Sequence, residues 1–145
     1  MVESFLIKFQ KKLVSKIREL RGKMPQLELA KLVGVSRQTI YYLEKGTYNP
    51  SLTVSFRISE IFGKPIEEIF YFEPVIKDLM GSKTLDELDE IAEITRISKE
   101  NVRNIRDLTD NELSEKFSEN DLIKISEALG VEFEDLFLKE EVNED

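Results

Sequence analysis

The sequence predicts an all-α protein made of two tandem five-helix units, the second divergent from the first. Three observations carry that expectation. Apolar residues in the first half recur at helical spacing. Gly, Pro, Ser and Thr interrupt the pattern where short helices should start and stop. The second half then repeats segments of the first at a nearly constant offset.

In the first half, Phe5, Phe9, Leu13, Ile17 and Leu20 predict a long opening helix from about Glu3 to Arg21. Gly22 and Pro25 end it and start the next. From Gln26 to Gly46 the chain reads QLELAKLVGVSRQTIYYLEKG. Leu29 and Ala30 face inward on one helix, and Ala30 is small enough for a second helix to cross close over it. Gly34 falls where a tight turn needs a left-handed backbone. Val35 fills the space under the turn, and Ser36 is a good N-cap. Ile40 and Leu43 return to the core, leaving Arg37, Gln38, Tyr41 and Tyr42 outward. Ser51 caps a helix to about Phe62, Gly63-Lys64-Pro65 breaks it, and Ile66 to Phe70 forms a last short turn. Glu73-Pro74 is the expected boundary between a domain at 1–72 and one at 73–145.

The repeat appears at both ends of the second half. Ile58-Ser59-Glu60-Ile61-Phe62-Gly63 matches Ile125-Ser126-Glu127-Ala128-Leu129-Gly130, and Ile66–Phe70 matches Phe133–Phe137. Upstream, Ala30, Ser36, Ile40 and Leu43 match Ala92, Ser98, Val102 and Ile105. Thr84 and Glu87 suit a capping box. Arg96 replaces the turn glycine, so that turn is expected to relax. The acidic residues after about Lys139 are expected to fray.

Composition narrows the function classes. Hydrophobic residues are 41% of the 145, enough for a core, and there is no Cys or His. That excludes disulfides, thiolate chemistry and zinc fingers, and removes the commonest acid–base catalyst. Carboxylates fall on solvated helix faces, with no glycine-rich phosphate loop and no metal-ligand set, so neither an enzyme nor a cofactor or metal protein is expected. No apolar run approaches the ~18 residues that a membrane span needs, and a cytoplasmic protein is expected. The net charge of −8 hides a split: residues 1–72 carry 12 Lys+Arg against 7 Asp+Glu, and residues 73–145 carry 9 against 22. A basic half joined to an acidic half points to two kinds of partner.

Residues from about 13 to 70 resemble the lambda-repressor/Cro-like (Xre) family of helix-turn-helix regulators. The resemblance rests on Gln26, Glu28, Leu29, Ala30, Gly34, Val35, Ser36, Ile40, Glu44, Gly46, Asn49-Pro50 and Ile69-Phe70. It implies binding to double-stranded operator DNA as a homodimer, as repressor or activator, with repression expected. It implies base contacts from Arg37, Gln38, Tyr41 and Tyr42, and phosphate contacts from Gln26, Ser36, Thr39, Lys45, Tyr48 and Asn49. The chemistry agrees, since an Arg fork fits guanine and a Gln amide fits adenine in the major groove. Glu44 is expected to brace the motif. Pro25 departs from the Ser or Thr that the family often has there. The second half resembles a degenerate copy whose acidic rim should repel DNA. It is expected to serve assembly or a protein partner. Phe5, Leu6 and Phe9 have two readings, an extended core or a dimer contact. The competing functions are a protein-binding adaptor or the antitoxin of a toxin–antitoxin pair.

Overall fold

The computed structural model describes residues 3–143. In chain order it contains strands β1 (Glu3–Phe9) and β2 (Lys11–Ser15), then helices α1 (Ile17–Arg21), α2 (Gln26–Val33), α3 (Arg37–Lys45), α4 (Leu52–Phe62) and α5 (Ile66–Ile69). Strand β3 (Phe70–Pro74) is followed by α6 (Val75–Gly81), α7 (Leu85–Thr95), α8 (Lys99–Asn104), α9 (Asp110–Lys116), α10 (Glu119–Leu129), α11 (Phe133–Leu136) and β4 (Phe137–Asn143). The chain divides into two compact units. Lys12–Glu73 forms one, and the segment ending at Lys11 joins Pro74 onward in the other. The first unit is thus an insertion, in chain order, within the second.

The all-α expectation is corrected in one respect: the helices are accompanied by two two-stranded sheets, β1–β4 and β2–β3. The long opening helix is replaced by β1, β2 and the short α1. A four-residue step is also a multiple of two, so Phe5, Phe9 and Leu13 fit a strand as well as a helix. Ile7 restores the two-residue alternation, and β1 is rich in aromatic and β-branched residues. Its partner lies at the far end of the chain: β1 runs antiparallel to β4 with Ile7 opposite Lys139 and Phe9 opposite Phe137. The acidic tail expected to fray therefore forms β4 as far as Asn143. Ile7 and Phe9 are buried in the second unit, which settles them as core there, while Phe5 and Leu6 stay exposed.

In the unit Lys12–Glu73, the core gathers Ile17, Leu29, Ala30, Val33, Ile40, Leu43, Ile58, Ile69 and Phe70. Three of its helices end on left-handed glycines, Gly34, Gly46 and Gly63. Gly46 is the most constrained: φ is 72°, and a Cβ there would collide with the Leu13 carbonyl oxygen. Ser36 and Ser51 cap α3 and α4 by accepting from the Thr39 and Val54 amides.

In the other unit, Ala92, Val102, Ile105, Ile125, Leu136 and Phe137 are buried. These occupy the positions that match Ala30, Ile40, Leu43, Ile58, Ile69 and Phe70. Ser98 caps α8 as Ser36 caps α3. Arg96 keeps a left-handed backbone, φ 60° and ψ 34°, so the relaxed turn expected there does not occur. Ala92 accepts from both the Arg96 and Ile97 amides, as Ala30 does from Gly34 and Val35, and that bonding holds the turn against the steric cost. The connection after α8 contains a 3-10 turn, Ile105–Asp107, and α9.

Candidate nucleic-acid interface

Helices α2 and α3 form the helix-turn-helix and pack together, with Ala30 of α2 buried. Hydrophobic burial of Ile40 and Leu43, each fully inaccessible, fixes the rotation of α3 about its axis. That rotation puts Arg37, Gln38, Tyr41 and Tyr42 on the exposed face. The four line one shallow hollow of about 350 Å³. Gln38 Nε2 donates toward the Tyr42 hydroxyl at 3.4 Å. The Tyr41 and Tyr42 rings stand edge to face, 5.5 Å apart. Lys45 places its ammonium 4.5 Å from the centre of the Tyr41 ring, which holds that ring by cation–π attraction.

A second cleft of about 350 Å³ adjoins this face and is lined by Arg18, Arg21, Gln26, Arg37, Tyr41, Glu44 and Lys45. A hydrogen-bonded chain runs through it. Arg21 donates to Glu44 through Nε, and again through Nη2 at 3.4 Å. Gln26 Nε2 donates to Glu44 at 2.9 Å, and Arg37 Nη1 donates to Gln26 Oε1 at 3.1 Å. Glu44 keeps only 8% side-chain exposure and Arg21 17%, so their ion pair is largely withdrawn from water. Glu44 thus neutralises Arg21 and aims the Gln26 amide, as the bracing role anticipates. Pro25 supplies no side-chain cap to α2, so the helix start at Gln26 remains able to meet an anion.

The remaining expected phosphate contacts fall in two places. Ser36 and Thr39 share a hydrogen bond between their hydroxyls at 2.9 Å, and Ser36 also accepts from the Thr39 amide at 3.1 Å. One hydroxyl hydrogen lies between the two oxygens, leaving one to donate outward. Tyr48 and Asn49 sit on the exposed connection beyond α3. Asn49 borders a different groove with Leu13, Pro50, Ser55, Ile66 and Phe70–Phe72. Neither residue lines the two clefts at α3. The residue that sequence reasoning missed is Arg18, an exposed cation on α1 beside the Gln26 cleft. Its signal is the Arg18-x-x-Arg21 spacing, which the apolar stripe of the opening segment masks.

Helix α8 of the other unit carries a different arrangement. Arg103 makes a two-pronged pair with Asp89, at 2.8 and 2.7 Å. The bonds and charge of that carboxylate raise the Arg103 pKa, and Arg103 in turn holds the Asp89 carboxyl below its ordinary value. The guanidinium at this face is already committed to an internal carboxylate.

An exposed Arg-Gln-Tyr-Tyr helix beside a cationic cleft, set on a second helix by a glycine turn, defines a DNA-binding helix-turn-helix domain. The HTH_3 helix-turn-helix family model matches residues 14–69. An uncharacterized HTH-type transcriptional regulator of Archaeoglobus fulgidus is 52% identical over 61 residues, 41% of this chain and 87% of that protein. One of Methanocaldococcus jannaschii is 54% identical over 50 residues, 34% of this chain and 76% of its own length. A third, of Bacillus subtilis, is 39% identical over 61 residues, 41% of this chain and 92% of its own. The chain belongs to the family of helix-turn-helix transcriptional regulators, a family of DNA-binding proteins rather than enzymes. Among the described residues no helix is long and apolar enough to cross a membrane.

Proposed function

We propose that the chain is a sequence-specific repressor that binds a near-palindromic operator as a homodimer. The observation that carries this is the exposed α3 face, with Arg37, Gln38, Tyr41 and Tyr42 clear of the core and Lys45 and Arg18 beside it. Arg37 and Gln38 read base edges, and the two tyrosines contact the neighbouring positions. Gln26, Ser36, Thr39 and Lys45 grip the phosphates next to α3, and Tyr48 and Asn49 hold the backbone beyond it. Arg18 adds a cation to the Gln26 site. Two such helices placed about one DNA turn apart, ~34 Å, demand half-sites at that spacing or a multiple of it. Repression is the simplest output of a dimer that covers its site.

The unit from Pro74 onward is proposed to be a diverged copy of the inserted unit that serves assembly instead of reading DNA. The matched buried positions and caps support the duplication, and the Arg103–Asp89 pair supports the change of role. The inserted unit carries 10 Lys+Arg against 7 Asp+Glu, and the rest of the chain 11 against 22. The charge split therefore survives the reassignment of the first eleven residues.

Selection of bound duplexes from a random pool tests the function. The expected result is one inverted-repeat consensus. Recovery of duplexes without a consensus, and with affinity governed by salt alone, would remove the sequence-specific reading. A domain comparison should use residues 12–73 and not 1–72, because cutting at 72 removes the strand that pairs with β1.

A further inference from the structure

The sheet β1–β4 has two edges, and they are treated differently. Along the outer edge of β1, the Ile7 carbonyl accepts from the Ser114 hydroxyl at 3.0 Å. The Phe9 amide donates to the Asp110 carboxylate at 3.1 Å. Both groups come from α9, which closes that edge. The sheet stops at β4, and no described element pairs with its other side. Leu138, Lys139, Glu140 and Glu141 are all exposed along it.

The β1–β4 register fixes which backbone groups face that open side. In an antiparallel pair, residues alternate between those that bond to the partner strand and those that point away. Ile7 and Phe9 point away from β4, so Leu6 and Lys8 bond to their opposites, Glu140 and Leu138. Lys139 and Glu141 therefore direct their amides and carbonyls to the open edge. A strand added there must bond to those two residues.

We propose that a second copy of the chain docks on this edge, β4 against β4, to form a continuous four-stranded sheet across a two-fold axis. The proposal rests on the homodimer reading above and names its surface. Two-fold pairing that joins outward-facing residues can set Lys139 opposite Glu141 of the other copy, and Glu141 opposite Lys139. Glu140 then meets its own equivalent on the axis. The two opposite-charge pairs favour this register, since facing charges of opposite sign stabilise a strand pair and like charges oppose it. The neighbouring registers that keep the bonding face set Lys139 or Glu141 against itself. The like-charged Glu140 pair is offset, because each Glu140 is already ion-paired with Lys8 on its own sheet. Lys139 keeps its bond to Glu119, at 3.1 Å, and its place over the Phe5 ring. Charged edges commonly prevent such pairing. Here the order of the charges makes the edge complementary to itself.

The chain has no cysteine, which allows a direct test. In this register Glu140 faces its equivalent at a non-hydrogen-bonded position, where the Cα atoms lie about 4.5 Å apart. That separation suits a disulfide. Full-length protein carrying Glu140→Cys, oxidised with diamide, should run as a covalent dimer, each pair of thiols losing two electrons to the reagent. Leu138→Cys should not cross-link, because position 138 faces position 142 of the partner. In a second test, Lys139→Glu and Glu141→Lys should each weaken the dimer about tenfold in light scattering, through two facing like-charge contacts. Mixed in equal amounts they should regain the wild-type mass, twice 16.9 kDa, because each then supplies the charge the other needs. Circular dichroism checks that each variant is folded, and the cross-link decides the matter if Lys139→Glu is not. A dimeric wild type that neither cross-links at 140 nor responds to the charge changes overturns this surface and leaves the homodimer reading standing. A wild type that is monomeric both free and on its selected operator overturns both.

Discussion

Replacing Glu44 with Ala strands a charge inside the helix-turn-helix. Arg21 loses its carboxylate partner, keeping only the Met24 carbonyl at 2.9 Å, and Gln26 loses the acceptor that aims it. Removing one member of a buried ion pair costs about 3–5 kcal/mol. The 17% exposure of Arg21 lets water reach part of the guanidinium, which places Glu44→Ala near the lower end, about 3 kcal/mol. Glu44→Gln keeps the volume and an acceptor for Gln26 while losing the charge, and should cost about 1–2 kcal/mol. The assay is urea unfolding followed by tyrosine fluorescence. The chain has four Tyr and no Trp, and Tyr41, Tyr42, Tyr48 and Tyr71 all lie in Lys12–Glu73, so the signal isolates that unit. The bracing argument fails if Glu44→Ala lies within about 0.5 kcal/mol of wild type, the range of an ordinary surface change. It fails equally if the Gln variant is the less stable of the two.

Gly46→Ala should destabilise the same unit by on the order of 2 kcal/mol or more, since φ is 72° and the added carbon meets the Leu13 carbonyl; the same fluorescence titration reads it. Arg96→Gly should raise the melting temperature of the other unit. Relief of a left-handed non-glycine residue, about 1–2 kcal/mol, exceeds the entropy that glycine adds to the unfolded chain, about 0.5–1 kcal/mol. An unchanged or lower melting temperature would mean that Arg96 makes a compensating contact. Burial pushes the Asp110 carboxyl up, but hydrogen bonds from Lys11 and the Phe9 amide, with the Lys11 and Lys8 charges, outweigh it and hold the carboxyl below its ordinary value. Its contribution is therefore present above the unfolded pKa, about 3.9, and is lost as pH falls through the lower folded value. The stability difference between wild type and Asp110→Asn should accordingly be constant near neutrality and shrink below about pH 4 in thermal melts; a difference that grows there would reverse the assignment.

The helix-turn-helix was legible in the sequence because every constraint on it is local. Ser36 caps within three residues, Gly34 turns on its own backbone, and Ile40 and Leu43 show helical spacing. The opening strands were not legible. A step of four fits both periods, and the partner that decides between them sits at the other end of the chain. The tail hides its strand for the same reason. Its charges look like a solvated run until Lys8 and Glu119 arrive from distant segments to pair with Glu140 and Lys139. Arg96 shows a third limit: the strain of one residue alone predicts a relaxed turn, whereas the paired amides on Ala92 hold it. At the site, the exposed face of α3 followed from periodicity, but the Arg21–Glu44–Gln26–Arg37 chain and the place of Arg18 required three helices to be brought together.

The central claim is that the exposed face of α3 reads base sequence while the cations beside it hold the backbone. Binding of Arg37→Ala and Lys45→Ala to the selected operator and to every single-base variant of it, over a range of salt, tests that division most directly. Arg37→Ala should lose about 1–3 kcal/mol and its preference at one base pair of each half-site. Lys45→Ala should weaken all sequences alike and lower the salt slope by about one per site. If Arg37→Ala instead weakens every sequence equally and keeps the full base preference, Arg37 is a phosphate contact and this face does not read DNA as described.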